Sequence, residues 1–128
     1  MADLPADLLY TEEHEYVAKT DEEGVYTVGV TDYAQGELGD VVFVELPEEG
    51  DSFEKGASFG TVEAVKAVSD LYMPVSGEIV AVNESLADDP SRVNSDPYGE
   101  GWMIRVRISD PAELDDLLDA TKYAPLTE

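Results

Sequence analysis

Residues 60–79 read Gly60-Thr61-Val62-Glu63-Ala64-Val65-Lys66-Ala67-Val68-Ser69-Asp70-Leu71-Tyr72-Met73-Pro74-Val75-Ser76-Gly77-Glu78-Ile79. Strand-like segments flank Lys66 on both sides, which predicts a β-hairpin with this lysine in its turn. Lys66 is one of only four lysines, against thirty acidic residues. A lysine adds little to a core because its stem ends in a strongly hydrated ammonium, whereas at a turn its amine is available for acylation. The alternative is a solvated hairpin lysine.

Segments rich in β-branched and aromatic residues recur along the chain and predict further strands. They span residues 16–18, 25–30, 41–46, 53–64, 68–73, 78–82 and 102–108. Gly and Pro turns separate them, and many short strands joined in this way predict an all-β sandwich or barrel. The tip at 64–67 lacks the Asn-Gly or Asp-Gly pair of a primed turn, so a type I turn, which tolerates most residues, is expected there.

An internal repeat lies on either side of the hairpin. Gly39-Asp40-Val41-Val42-Phe43-Val44 and Gly77-Glu78-Ile79-Val80-Ala81-Val82 match position for position, thirty-eight residues apart. Two copies are too few for a solenoid. The repeat therefore predicts a sandwich of two quasi-equivalent halves with Lys66 between them.

Two helices are predicted outside the strands. Thr31 is suited to cap a short helix that Gly39 ends. Asp110-Pro111-Ala112-Glu113 combines a cap, a proline at the first helical position and a glutamate three residues after the cap. Leucines then recur at helical spacing, at positions 114, 117 and 118. We expect a C-terminal helix at about 110–120 that packs on the sandwich, with a partner-binding helix as the alternative.

The size and charge of the chain restrict its class. A length of 128 residues predicts one domain, 1–128. A net charge of −23 argues against nucleic acid and against anionic membrane surfaces as partners. No apolar run is long enough to span a membrane. Residues 1–7 lack the basic start and apolar core of a signal peptide, so we expect a cytoplasmic protein.

The acidic residues are scattered from Asp3 to Glu128 and do not form one block. Scattered acid with few lysines is the composition expected of a protein that works in concentrated salt, where the screening length falls to ~3 Å at 1 M. The composition therefore predicts a halophilic protein, with an acidic surface for a partner as an addition.

Cysteine is absent from the chain. This excludes disulfides, thiolate nucleophiles and sulfur-ligated metals. Any sulfur chemistry must therefore come from an attached group.

Ordered motifs over nearly the whole chain resemble one family, that of the glycine cleavage system H protein. Residues 62–72, followed by Pro74-Val75-Ser76-Gly77-Glu78, resemble its lipoylation hairpin. The similarity extends upstream and downstream, to His14-Glu15-Tyr16 and to residues 29–35, 38–47 and 93–104. Val-Lys-Ala alone would be a weak signal, but the ordered set is a strong one.

The resemblance implies a mainly β fold, a lipoyl-domain-like flattened barrel or sandwich (a barrel-sandwich hybrid) with short helices. The modified lysine of that fold lies at a hairpin tip, so the lipoyl hairpin is expected at about 57–75. Lys66 is then amide-linked to lipoic acid by a lipoyl-attaching enzyme. No nucleophile–base set is visible in the chain, which agrees with a carrier that is not an enzyme.

The family's function is implied in the same way. Its carrier shuttles the aminomethyl group of glycine from glycine decarboxylase (P protein) to aminomethyltransferase (T protein). Dihydrolipoyl dehydrogenase (L protein) then reoxidises the dithiol.

Two alternatives share the architecture. One is a lipoate-relay protein that donates lipoyl groups to other enzymes. The other is a biotin carrier, against which Val65 and Ala67 argue because its lysine usually lies between methionines. A purely structural acidic module is a third alternative.

Other site residues also follow from the resemblance. Glu63 and Gly77 match positions at which lipoyl-attaching enzymes recognise the family, although an exposed strand residue and a turn glycine are the plainer interpretations. Glu15 and Asp70 match acids near the loaded arm. Glu37 stands where some members have a histidine, so a hydrogen-bond donor is lost there while a carboxylate remains to meet an ammonium ion.

His14 is the only histidine and is surrounded by acidic residues. A metal site is one interpretation, but a single nitrogen ligand makes a poor zinc site. A solvated or structural histidine is therefore expected.

Overall fold

The computed structural model describes residues 8–127, which form two antiparallel sheets with short helices at their edges. The strands are β1 Leu9–Tyr10, β2 Glu15–Lys19, β3 Val25–Val30, β4 Val41–Glu45, β5 Ser52–Phe53, β6 Ser58–Ala64, β7 Val68–Tyr72, β8 Gly77–Val82 and β9 Ile104–Ile108. The α-helices are α1 Asp32–Leu38, α2 Ser85–Asp88, α3 Arg92–Ser95 and α4 Ala120–Tyr123. Two 3₁₀ helices span Pro111–Asp116 and Ala124–Thr127.

The larger sheet has the order β1-β2-β3-β9-β8-β5, and the smaller has the order β4-β6-β7. The main core contains alternating residues of both sheets, among them Val28, Val62, Ile79 and Val106. Such alternation is typical of strands with one buried face. The prediction of a mainly β sandwich with short helices is confirmed.

The two repeated segments become β4 and β8, and both carry an irregularity at the same place. The pairing of β4 with β6 shifts between Val41 and Phe43. The pairing of β8 with β9 shifts between Ile79 and Ala81, thirty-eight residues further along the chain. A bulge bends its strand and increases the local twist. The repeat therefore encodes equivalent bends in the two halves of the sandwich.

The short helix α1 has the predicted ends. Thr31 Oγ1 accepts a hydrogen bond from the Ala34 N–H at 3.2 Å. Gly39 follows the helix with a φ of 80°, and its N–H donates to the Gln35 carbonyl at 3.0 Å. A positive φ carries no steric penalty at glycine, so Gly39 is suited to end the helix.

The C-terminal prediction is wrong in its extent, because one helix over 110–120 does not form. Asp110 caps a 3₁₀ helix as expected, accepting from the Ala112 N–H at 3.1 Å, but this helix ends at Asp116. Leu118 then pairs with Tyr10 through two backbone hydrogen bonds of 2.7 and 2.8 Å. This pairing requires extended backbone, which interrupts the helix. Glu113 also bonds elsewhere, to the N–H and hydroxyl of Ser76.

A second, smaller core lies beneath this C-terminal segment. It contains Tyr10, Tyr16 and Tyr123, all fully buried. The rings of Tyr10 and Tyr123 stack with centroids 4.6 Å apart, and the Tyr16 hydroxyl donates to the Pro97 carbonyl at 2.7 Å. Buried tyrosines usually find such partners. The contacts within this cluster hold α4 against β1 and β2.

None of the helices formed by residues 8–127 is long and apolar enough to cross a membrane. The prediction made for residues 1–7 concerns a segment outside the described residues.

Candidate functional site

Lys66 lies at the tip of the hairpin formed by β6 and β7. The Ala64 N–H donates to the Ala67 carbonyl at 2.8 Å, and Val65 and Lys66 lie beyond this bond. Neither has a positive φ, so the tip is not a primed turn, as the sequence indicated. The Val65 N–H also donates to the Asp40 carbonyl at 2.9 Å. Lys66 is thus exposed on a loop that the α1–β4 connection holds in place.

The stem of Lys66 lies against Gly39. A Cβ added to Gly39 would be 2.9 Å from Lys66 Cε, closer than such atoms approach. Glycine is therefore favoured here for two reasons: its positive φ carries no steric penalty, and a side chain at this position would push aside the flexible stem of Lys66. The sequence indicated the first reason but not the second.

Asn94 in α3 supports the same connection and was not predicted as a site residue. Its amide nitrogen donates to Gln35 Oε1 at 3.0 Å and to the Gly39 carbonyl at 2.8 Å. Its Oδ1 accepts from the Val41 N–H at 2.8 Å. One side chain thus joins the end of α1, Gly39 and the start of β4. The only sequence signal was its place in the downstream motif at 93–104.

A cleft of about 230 Å³ lies beside the hairpin. Its walls come from the start of β2, from α1 and from β7, and they bring together the three predicted docking residues, Glu15, Glu37 and Asp70. Apolar side chains complete the lining, at Val30, Leu38, Val62 and Leu71. The cleft therefore combines an apolar floor with a group of carboxylates.

Glu15 is the buried member of this group, with 2% of its surface exposed. Its Oε1 accepts from the Thr11 hydroxyl at 2.8 Å, and its Oε2 accepts from the Tyr72 N–H at 3.3 Å. Burial raises the pKa of Glu15 to about 7, the two hydrogen bonds oppose that rise, and the charge of Glu13 adds to it. Glu15 is therefore poised to gain or lose a proton near neutral pH.

The other two carboxylates lie at the surface. Glu37 Oε1 accepts from the Tyr33 hydroxyl at 3.2 Å, and this bond raises the pKa of Tyr33. Asp70 Oδ2 lies 3.5 Å from the Tyr72 hydroxyl, and the negative charge of Asp70 raises the pKa of Tyr72. Within residues 8–127 neither carboxylate forms an ion pair. Both remain available to a cation from outside.

His14 also lines the cleft, in an unusual backbone conformation. Its φ of 68° is the only positive value at a non-glycine residue in the described part of the chain. Its N–H donates to the Thr11 carbonyl at 3.1 Å, and its carbonyl accepts from the Thr31 N–H at 3.0 Å. Its Nδ1 lies 2.7 Å from the Tyr123 hydroxyl. These contacts hold the ring in place, so His14 is structural, as expected, and also faces the site.

The buried hydroxyl of Thr31 determines which nitrogen of His14 carries the proton. Thr31 Oγ1 already accepts from Ala34, and within residues 8–127 the only acceptor for its proton is the Tyr123 oxygen, at 2.8 Å. Burial raises the pKa of Tyr123 to about 12, so its hydroxyl stays protonated and donates to His14 Nδ1. Neutral His14 therefore carries its proton on Nε2.

The neutral form of His14 prevails at neutral pH because burial lowers its pKa, against the opposing charges of Glu13 and Glu37. Its Nε2 has no hydrogen-bond partner among the described residues. Neutral His14, which lines the cleft, therefore has an N–H donor that no described residue occupies.

The two predicted recognition residues lie on different sheets. Glu63 is half-buried in β6, between Phe43 and Val68 on the neighbouring strands. Gly77 is buried in β8, where a Cβ would lie 2.5 Å from Val106 Cγ1 and would also clash with the Arg107 carbonyl. Close packing in the larger sheet is thus a sufficient reason for glycine at this position.

The tip and the cleft together suit a long side-chain group attached at Lys66. The amine is exposed, and its neighbours Val65 and Ala67 carry no group that competes for acylation. Lys66 rests on Gly39, the residue that follows the cleft-lining Leu38. An arm on Lys66 thus starts at the edge of a cleft that is lined by apolar side chains and by three carboxyl groups.

Comparison with known proteins agrees with this geometry. Residues 8–128 match the sequence model of the family described as glycine cleavage H-protein. The chain belongs to the glycine cleavage H-protein family. The glycine cleavage system H protein of Rubrobacter xylanophilus is 59% identical over 124 residues, which are 97% of this chain and 94% of that protein. That of Chromohalobacter salexigens is 54% identical over 126 residues, 98% and 95% of the two chains.

A solved structure extends the comparison to the fold. The crystal structure of a glycine cleavage system H protein from Mycobacterium marinum superposes with a TM-score of 0.86. The two chains are 42% identical, and the match covers 95% of this chain and 97% of the other. The family's barrel-sandwich fold is therefore that of this chain.

Family membership confirms the general function predicted from the sequence. As a glycine cleavage H-protein, the chain is a lipoyl carrier that serves the glycine cleavage system and is not itself an enzyme. Its cofactor is covalently attached lipoate. The family implies interaction with the P, T and L proteins of that system.

Proposed function

We propose that Lys66 is the residue that carries the lipoyl group, through an amide bond at Nζ. The observation that supports this is its position, alone of the four lysines, at an exposed hairpin tip beside the cleft. Lys55 is engaged with Asp116 at 3.1 Å, Lys19 ends β2 and Lys122 lies in α4. When bound, the lipoyl group supplies the disulfide that the cysteine-free chain lacks.

The test is the mass of the intact protein purified from its own host, followed by peptide mapping. A lipoyl group, a biotinyl group and a bare lysine give three different masses. The Lys66→Arg variant keeps the charge but has no acylatable primary amine, so the fold should persist while the modification disappears. Lys55→Arg is the matched control and should be modified normally. A lipoyl group mapped to Lys19, Lys55 or Lys122 contradicts the assignment.

We also propose that Glu15, Asp70 and Glu37 receive the cationic end of the loaded arm. Burying an ammonium group in an apolar cleft carries a large desolvation cost unless an anion accompanies it. The support is that these three carboxylates line one cleft and that Asp70 and Glu37 are free of ion pairs within residues 8–127. Glu15 would give up its proton as the cation arrives, because a nearby positive charge lowers the pKa of a carboxyl.

Glu63 and Gly77 are proposed to contribute to recognition by the lipoyl-attaching enzyme, in different ways. The side chain of Glu63 makes no hydrogen bond or ion pair to another described residue, so it is available to a partner. Gly77 acts indirectly, because its close contact with β9 keeps β8 in register. Glu63→Gln should therefore slow modification without loss of stability, whereas Gly77→Ala should first destabilise the fold.

We infer that this chain itself binds the P, T and L proteins, as a single lipoyl-carrier domain over 1–128 in the cytoplasm. The match over residues 8–128 supports the domain assignment, and the net charge of −23 opposes nucleic acid and anionic membranes as partners. Co-sedimentation of the lipoylated chain with each purified enzyme tests the interactions.

The acidic composition is proposed to be an adaptation to concentrated salt. Thirty acidic residues face only seven basic ones, and residues 8–127 contain four ion pairs, so few acids are neutralised within the protein. At low salt such a surface repels itself, and screening by salt relieves the repulsion.

A further inference from the structure

Exposed apolar side chains are concentrated around Lys66. Residues 8–127 contain five large apolar side chains that are exposed, and four of them lie in β4 or in the β6–β7 hairpin: Val42, Phe43, Val65 and Val68. Val65 is 73% exposed and Val68 is 65% exposed. The fifth, Leu126, lies near the C-terminus. In so acidic a protein, an apolar cluster of this kind marks a surface that a partner covers.

The register of the smaller sheet places two of these residues, Phe43 and Val68, on one face. Phe43 pairs with Glu63, and Glu63 pairs with Val68. Residues opposite each other on neighbouring strands project to the same side of a sheet. Val44 and Val62, the next residues along, are buried, so the row of Phe43, Glu63 and Val68 faces away from the core.

A second row lies beside the first on the same outward side, where Glu45 pairs with Thr61 and Thr61 with Asp70. We call this surface the outer face and define it by Phe43, Glu45, Glu63 and Val68. Neither of its two carboxylates forms an ion pair within residues 8–127. The outer face therefore carries two exposed apolar side chains, Phe43 and Val68, with the unpaired carboxylate of Glu63 between them and that of Glu45 in the next row.

We propose that the outer face is the surface by which the enzyme that acylates Lys66 binds the unmodified chain. The partner has apolar side chains opposite Phe43 and Val68, and lysine or arginine side chains opposite Glu63 and Glu45. This inference rests on the proposed function of Lys66. It adds a binding surface and the chemistry of its partner.

The position of the outer face favours the acylating enzyme over the enzymes that act on the attached lipoyl arm. An acylating enzyme must bring its reactive group to Nζ itself, so it must cover the residues at the base of the lysine. An enzyme that acts on the far end of the arm can remain at the arm's length. A second copy of this chain is also disfavoured, because the same carboxylates and the net charge of −23 would repel each other.

The step itself needs an activated acyl donor, here an acyl adenylate. The Lys66 ammonium first loses a proton to solvent, and the resulting amine attacks the acyl carbon; an amide bond forms as the nitrogen loses a second proton to solvent, and the bond from acyl carbon to phosphate oxygen breaks. Adenylate leaves with that electron pair. Nothing is oxidised or reduced, so the partner needs only ATP and the carboxylic acid.

The experiment measures acylation of the bare chain by a lipoate–protein ligase supplied with ATP and lipoic acid. Phe43→Ser and Val68→Ser should each raise the KM for the chain about tenfold while kcat stays within about twofold, because a central apolar contact contributes over 1 kcal/mol to binding. Leu126→Ser is the matched control, and its KM should equal that of wild type. Thermal melts of all four proteins must show that the fold is retained.

A charge test is independent of apolar packing. Glu45→Gln should raise the KM and weaken its dependence on salt, since one charge pair with the partner is lost. Wild-type KM values in Phe43→Ser and Val68→Ser would overturn the inference. A wild-type dimer that Phe43→Ser dissociates would also overturn it and would assign the outer face to a second copy. Failure of the ligase to modify Lys66 in wild type would instead contradict the proposed function.

Discussion

The backbone N–H of Tyr72 donates a hydrogen bond to the buried carboxyl of Glu15, with Tyr72 N and Glu15 Oε2 3.3 Å apart. This bond joins β2 to β7, the strand that leaves the hairpin. The carboxyl is thus both a structural link and the most buried acid of the cleft. Its protonation state therefore affects the stability of the fold as well as the charge of the site.

Glu15→Gln should change how stability depends on pH. The pKa of Glu15 rises from its ordinary 4.5 to about 7 on folding, so between these values the folded state binds more protons than the unfolded state. The free energy of unfolding of wild type should fall as pH rises through this window, by about 3 kcal/mol from this group. The variant lacks this contribution.

Urea denaturation of both proteins at about pH 5 and about pH 8, at constant salt, measures the difference. Wild type should lose more stability than Glu15→Gln over that interval. Parallel pH profiles would mean that Glu15 is charged throughout.

The sequence predicted those parts of the fold that depend on local chemistry. β3 at 25–30 and the ends of α1 at Thr31 and Gly39 follow from β-propensity and capping, which neighbouring residues determine. The position of Lys66 at a tip followed from the strands on either side. The grouping of Glu15, Glu37 and Asp70 in one cleft was not visible in their spacing and came only through family resemblance.

The parts that could not be predicted depend on long-range contacts. Leucines at helical spacing indicated a helix to residue 120, but pairing of Leu118 with Tyr10 extended the backbone instead. The three hydrogen bonds of Asn94 connect segments more than fifty residues apart in sequence. No local pattern distinguishes such an asparagine from one on the surface.

Gly39→Ala should destabilise the protein. Its φ of 80° costs an L-residue about 1–2 kcal/mol, and the added methyl group also displaces the stem of Lys66. Gly36→Ala is the matched control, because Gly36 lies inside α1 with open space around it, so alanine should stabilise the protein by about 0.5–1 kcal/mol. Chemical denaturation of both variants provides the comparison. Equal stabilities would show that the backbone at Gly39 relaxes without cost.

Tyr123→Phe should remove the preference of His14 for a single tautomer. Wild type should show the proton on Nε2, and the variant should show a mixture, because the donor to Nδ1 is removed. The buried Thr31 hydroxyl also loses its acceptor, which costs about 1–3 kcal/mol. Long-range ¹⁵N–¹H NMR of the single imidazole reports the tautomer directly. Observation of Nδ1–H in wild type would reverse the donor order inferred for the hydroxyl chain.

Thermal stability should increase as potassium chloride rises from low to molar concentration. Screening weakens the repulsion among acidic residues, which the compact state concentrates more than the unfolded chain does. Thermal melts in potassium chloride measure this effect. Melts in sucrose, an uncharged solute that is excluded from the protein surface, separate charge screening from stabilisation by solute exclusion. A midpoint that stays flat or falls with salt would remove the argument for salt adaptation.

Asp70→Asn should shorten the lifetime of the loaded carrier while modification of Lys66 proceeds normally. In the proposed function, the cleft holds the ammonium group at the end of the loaded arm, and the surrounding carboxylates offset the cost of its burial. With one fewer carboxylate the arm should spend more time in water, where it loses ammonia. Glu15→Gln should act in the same direction and more strongly, because Glu15 is the buried acid, and a buried charge is screened least by solvent.

Asp88→Asn is the matched control, since it removes one exposed negative charge from α2, outside the cleft. Each loaded carrier is freed of the partner enzymes, and its release of ammonia is followed over time. Asp88→Asn should match wild type, whereas the two cleft variants should release ammonia faster. Equal rates in all four proteins would mean that Glu15 and Asp70 belong to the general acidic surface and do not hold the arm.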